Sequence, residues 1–416
     1  MMMQKRAILA VVGAAAAVFW PGALVFGFPG VMAAYWQEIF QVSSAATGNI
    51  MFFILAGAGS FMYVAGRWQE KVGARLMITL GIVICSLNLL LAAYAGSMAA
   101  IYLWAFIHGL SSCLVYAPAV TIAQRWFPGR RGLVTGIVNF CFGMSAAIMA
   151  PVFFFMLNNM GYLTMNLTLA VVILVVGISA SFLTEMPGRL ESAKTVVQDR
   201  PLDKNNRGEG VSPAPSLTVR ESLRTKNFWL LWFTWALQGS AGIAMVTLSV
   251  AFGTAQGLNP AAAVLILTAF NLAGGFSRLL SGYLSDYIGK TGIMGVTFLA
   301  AGIAYFLLPH TSAMALILFF AGVIGFAFGT LLTASIPLIS DCFGLKHFGA
   351  IYGLVFTAYG FISGLLGSSL SGYLLDLSGG NYIMVFSYLG FLACASAVLI
   401  RLVKHAPAPL SLAGNK

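Results

Sequence analysis

Residues 66–73 read Gly66-Arg67-Trp68-Gln69-Glu70-Lys71-Val72-Gly73, and residues 282–290 read Gly282-Tyr283-Leu284-Ser285-Asp286-Tyr287-Ile288-Gly289-Lys290. Both are short polar stretches at the end of a long apolar run, with an acid between glycines and a base close by. The interval from Glu70 to Asp286 is also the interval from Phe127 to Phe343. Gly136 and Gly143 are echoed, one residue further on, by Gly353 and Gly360. The chain is an internal repeat, and most of what it repeats is apolar.

Crossing about 30 Å of hydrocarbon takes roughly 20 residues. Twelve segments reach about that length: 7–36, 46–68, 75–96, 98–124, 132–157, 162–184, 228–255, 260–285, 292–309, 312–340, 347–375 and 382–402. The first runs on past Trp36, too long for the apolar core of a signal peptide. Of the 416 residues, 60% are hydrophobic and 8% charged, against about 25% charged in soluble domains. So few charges cannot cover a water-soluble surface, which excludes a soluble enzyme. The net charge of +11 does not point to nucleic acid, because the basic residues stand in small groups between apolar runs. Cys85, Cys113, Cys141, Cys342 and Cys394 fall singly in apolar stretches, without metal-ligand spacing. No nucleotide, zinc or nucleophile motif is present, so neither a cofactor nor catalysis is expected.

The one long polar stretch, 185–227, carries Pro187, Pro201, Pro213 and Pro215 among mixed charges and reads as a linker. It divides the chain into a six-segment half (1–184) and a second one (228–416). Even-numbered halves lie parallel in the bilayer, which places a substrate site near the midplane between them. With the N-terminus in the cytosol, every Lys and Arg of the 22 except Arg278 falls in cytosolic loops or tails, while the outer loops hold only Glu38 and Asp376. This is the basic-loop asymmetry of inner-membrane proteins, and it puts both termini in the cytosol.

Arg278 is the exception. It lies inside segment eight, eight residues before Asp286, about 12 Å from the cytosolic end of a helix. A guanidinium stays protonated, and all 11 acids lie in loops or near segment ends. An intramembrane charge without a counter-ion is costly unless it faces a cavity or meets an anion. Its planar fork matches a carboxylate, and a single cation suits a single negative charge. Asn271, seven residues earlier on the same helical face, either bonds a substrate oxygen or ties two helices together. Tyr359, Tyr116, Asn139 and Phe28 (beside the Pro29-Gly30 break) are further pocket candidates, each with interhelical packing as the alternative. His108, the one histidine well inside a segment, either carries a proton or makes a packing hydrogen bond.

The two quoted stretches resemble the loop motif of the major facilitator superfamily, Gly-x-Leu-x-Asp-x-x-Gly-Arg/Lys, with Glu70 in place of the usual aspartate. In that superfamily the acid latches the loop to neighbouring helix ends, which implies gating roles for Glu70 and Asp286. The run Arg125-Trp126-Phe127-Pro128-x-Arg130-Arg131-Gly132-Leu133-x-x-Gly136 is similar to the loop four–five signature of monocarboxylate transporters and oxalate:formate antiporters, and adds Arg131 to the motif residues. Phe228-Trp229-x-Leu231-Trp232 and the Asn271-to-Asp286 pattern around Arg278 resemble the same group. The resemblance puts the family's substrate arginine on Arg278. It puts Tyr359 where oxalate carriers have a second cation, which argues against a dicarboxylate. The lysine and aspartate linked to proton coupling in animal carriers are Gly30 and Gly274 here.

Residues and resemblance together predict an all-α membrane protein of twelve transmembrane helices in two parallel six-helix halves. The expected function is transport of a small monocarboxylate, lactate or pyruvate in kind, in symport with a proton. The expected setting is a monomer in a bacterial cytoplasmic membrane. The alternative is exchange of one carboxylate for another, which needs no titrating group.

Overall fold

Polar side chains start many of the helices by accepting hydrogen bonds from backbone N–H groups that no preceding turn can satisfy. Ser43 accepts from Ala46, Thr225 from Phe228, Asn259 from Ala262, and Asn381 from Ile383 and Met384. A computed structural model describes residues 2–127, 131–186, 217–344 and 347–404, and among them every regular element is helical. The helices before the linker are α1 (Met2–Phe26), α2 (Phe28–Phe40), α3 (Ser44–Val72), α4 (Ala74–Ala93), α5 (Met98–Trp126) and α6 (Arg131–Leu183). After it come α7 (Val219–Leu223), α8 (Lys226–Ala255), α9 (Pro260–Ile288), α10 (Lys290–Leu307) and α11 (Met314–Phe343). The next run starts as α12 (Phe348–Thr357), widens into π-helical turns at Ala358–Ser363 and Leu365–Ser369, and ends as α13 (Leu370–Leu377); α14 (Tyr382–Leu402) follows.

Two breaks reconcile these elements with the sequence. The first segment bends at Gly27, just before Pro29, so α1 and α2 together make one crossing. α6 is 53 residues long, at 1.5 Å per residue far more than one bilayer needs. It turns back at Gly161, whose φ of 75° suits a residue without a Cβ. Eleven apolar helical stretches among the described residues are long enough to span a membrane. With the Leu133–Leu183 stretch counted as two, they make the twelve crossings expected.

Large apolar side chains such as Phe155, Phe182, Phe319 and Phe391 point outward and are more than 60% exposed, while Ala10, Ala14 and Ala17 are fully buried. Lipid tails are as apolar as leucine, so packing of small residues, not hydrophobicity, decides which face turns inward. Before the linker α1 packs on α6, and α4 on α5 and α6. After it α9 packs on α11, and α10 on α14 and α11. The two sets meet where α9 lies on α6, α2 on α8, and α3 on the π-helical turns and α13. The chain resumes after the linker with Leu217 donating its backbone N–H to Phe343 O, 3.0 Å away, at the end of α11. Lys290 at the start of α10 pairs with Asp341 near the end of α11, a link that no spacing or motif announces.

Candidate functional site

Arg278 projects from α9 towards α6, across the meeting of the two sets. It is 3% exposed. Its Nη1 donates to the backbone oxygen of Asn139 at 2.8 Å, and its Cζ lies 5.8 Å from the ring centres of both Phe26 and Phe142. That is a cation held between two π faces. The guanidinium fits there because residue 143 is glycine: a Cβ at that position would fall 2.9 Å from Arg278 Cζ and 3.1 Å from Nε. No carboxylate of the described residues is within ion-pair distance of Arg278, and Nε has no hydrogen-bond partner.

The charge opens onto a cavity of about 70 Å³, room for several waters. Tyr116, Asn139 and Tyr359 line it with Arg278. Tyr116 donates to Asn139 Oδ1 at 2.5 Å, which leaves Asn139 Nδ2 without a partner, and Tyr359 Oη also has none. Three buried polar atoms, Arg278 Nε, Asn139 Nδ2 and Tyr359 Oη, are thus unpartnered in residues that line one cavity. Buried polar groups are nearly always paired, and each of these can donate. The arrangement fits a guest rich in acceptor oxygens. Removing an unpartnered hydroxyl costs no folding energy. Tyr359→Phe should therefore leave the melting temperature unchanged or slightly higher, as read by thermal unfolding.

The other three candidates do not line this cavity, and the structure gives each of them the packing alternative. Asn271 Nδ2 donates to Phe26 O at 3.2 Å and to Leu267 O at 3.0 Å. It ties α9 to the end of α1, the interhelical alternative. Phe28 follows the Gly27 bend and is fully buried against Trp36, Trp104 and Phe153, so it is core. His108 stacks on Trp104 with rings 7° from parallel and lies 3.4 Å from Pro21 O; it does not line the cavity. The side chains of Glu70, Arg131 and Asp286 lie outside the described residues.

Four aromatic wall residues were not among the sequence candidates. Tyr352 and Phe356 line the cavity and stand with Tyr359 at helical spacing, a stripe visible in the sequence. Phe26 and Phe142 carried no such signal among 32 phenylalanines.

A bundle of twelve apolar crossings, with a charged cavity where its two sets meet, is the build of a membrane carrier. The model of the Major Facilitator Superfamily matches residues 7–361 and 237–415, and the chain belongs to that superfamily of transporters. It is similar to the oxalate:formate antiporter of Oxalobacter formigenes, 25% identical over 343 residues that cover 80% of this chain and 77% of that protein. It is also similar to monocarboxylate transporter 13 of Rattus norvegicus, 25% identical over 391 residues, 92% of this chain and 87% of that one. Among solved structures, a bacterial homologue of the human lysosomal transporter Spinster, inward-facing and unoccupied, matches with a TM-score of 0.68. That match covers 96% of this chain and 95% of the other at 14% identity, a likeness of fold.

Proposed function

We propose that this transporter carries small monocarboxylates, of the size and charge of lactate or pyruvate, by alternating access between its six-crossing halves, 1–184 and 228–416. The observation that carries the reading is Arg278: a buried cation, without a counter-ion among the described residues, on a cavity at the contact of the two sets of helices. One guanidinium neutralises one carboxylate. A dianion would keep a net charge in a medium of low dielectric, and Tyr359 offers a hydroxyl where a second cation would be needed. The unpartnered Asn139 and Tyr359 groups suit a second oxygen next to the carboxylate. In this reading the halves rock around a neutralised site. The termini face the cytosol, and the protein works as a monomer in a bacterial cytoplasmic membrane.

Coupling to a proton is the first form of the mechanism. Exchange of carboxylates is the second, and one observation favours it: among the described residues, no carboxyl or imidazole side chain lines the cavity. Proteoliposomes separate the two. Under symport, empty vesicles with an acidic exterior should accumulate labelled lactate. Under exchange, uptake should need internal carboxylate and ignore the pH gradient. An excess of oxalate should compete poorly in both cases. Failure of lactate, pyruvate, acetate and formate alike to enter by either route would reject the monocarboxylate reading.

A further inference from the structure

The carboxylate of Asp376, near the end of α13, lies on the start of α3, in the other half of the repeat. Oδ1 accepts from the backbone N–H of Ser44 at 3.0 Å and Oδ2 from that of Ala45 at 2.8 Å. α3 already has an N-cap of its own, Ser43, which accepts from Ala46 N. The first two N–H groups of the helix are therefore satisfied by a residue from the opposite half. A carboxylate there gains two charge-assisted hydrogen bonds and the favourable end of the helix dipole. Below this contact the helices touch backbone to backbone. A Cβ added at Gly372 would fall 2.8 Å from Ala45 Cα, at Gly364 2.6 Å from Phe52 Cα, and at Gly360 2.8 Å from Gly59 Cα. Gly360 adjoins Tyr359, so this closed seam runs from the membrane face down to the level of the cavity.

We infer that Asp376 is the latch of a gate on the face opposite the termini: its carboxylate holds α13 to the start of α3, and the bond must break before the cavity can open to that face. Asp376 and Ser44 separate when the halves part, because they belong to different halves. The latch therefore weights the equilibrium between the two open states without touching the guest.

The test needs no substrate. Ser369, 7% exposed, lies in the seam beside Gly48. A Ser369→Cys protein is treated with a membrane-impermeant maleimide in vesicles of both orientations, with a C-terminal tag marking the sides. Labelling from the face opposite the tag is expected to be slow, and about a hundredfold faster with Asp376→Ala added, as when a two-state equilibrium loses two charge-assisted hydrogen bonds. Asp376→Asn, which keeps one acceptor oxygen, is expected to fall between. Cys85, fully buried, reports folding: if it becomes reactive in Asp376→Ala, Asp376→Asn decides. Equal labelling rates for the parent and a folded variant overturn the latch. A reversed topology shows in the tag and leaves the comparison intact, and failure to carry lactate leaves it untouched.

Discussion

Arg278→Met is expected to abolish carboxylate uptake and, in the same molecule, to raise the melting temperature in detergent. The two effects have one cause. A guanidinium without a counter-ion among the described residues costs the folded protein about 2.5–3.5 kcal/mol at the middle of a crossing, and an unbranched apolar side chain of similar length removes that cost. The same change takes away both arms of the fork. Two charge-assisted hydrogen bonds are worth at least about 3 kcal/mol, so uptake should fall by about a hundredfold or more. Arg278→Lys should keep the charge and lose the bidentate geometry, with a fall of about tenfold. Uptake per folded carrier and thermal unfolding measure the pair of effects. If Arg278→Met melted lower and still transported, the arginine would be a brace between α6 and α9, and the anion site would have to be sought elsewhere.

Gly143→Ala is expected to cost about tenfold in uptake while the fold survives. Its new methyl would stand 2.9 Å from Arg278 Cζ and 3.1 Å from Nη1, closer than carbon and nitrogen tolerate. The obstructing atoms are the far end of a long side chain, so the guanidinium swings aside and the helices stay. Alanine is the better helix former by about 1 kcal/mol, which offsets the lost contacts. Gly136→Ala is the control, because its Cβ would meet Leu279 Cδ2 at 3.5 Å, an ordinary contact. Equal uptake by the two variants would show that the position of the guanidinium does not matter. A bulkier Gly143→Val should widen the difference.

The twelve crossings could be read from the sequence because bilayer thickness sets segment length and because the polar stretches are few. Arg278 could be read for a related reason: a charge inside an apolar segment is expensive and must be explained. Partners were harder. Asn139 holds the arginine through its backbone oxygen, and every residue has one. Asn271 and Phe28 sit at sequence positions as suggestive as that of Asn139, yet one bonds backbone carbonyls and the other packs in the core. The π-helical turns around Tyr359, where Ser363 Oγ donates to Trp235 O at 3.2 Å, are announced by no periodicity. Asp376 stood out only as one of two outer-loop acids, and its partner is 332 residues away.

The solitary guanidinium also has an electrical consequence. Under the proposed alternating access, the cavity changes the compartment whose voltage Arg278 shares. An empty carrier therefore shifts up to one positive charge through the field, about 2.3 kcal/mol per 100 mV. With the termini in the cytosol, as proposed, a cell interior that is negative would hold the empty form facing inward, the state in which the seam between α3 and α13 is shut. A carrier loaded with an anion at Arg278 presents no net charge there and turns freely. On the proposed reading, resting voltage would discourage the empty return stroke and leave the loaded one alone, which would make trading one anion for another the easier cycle.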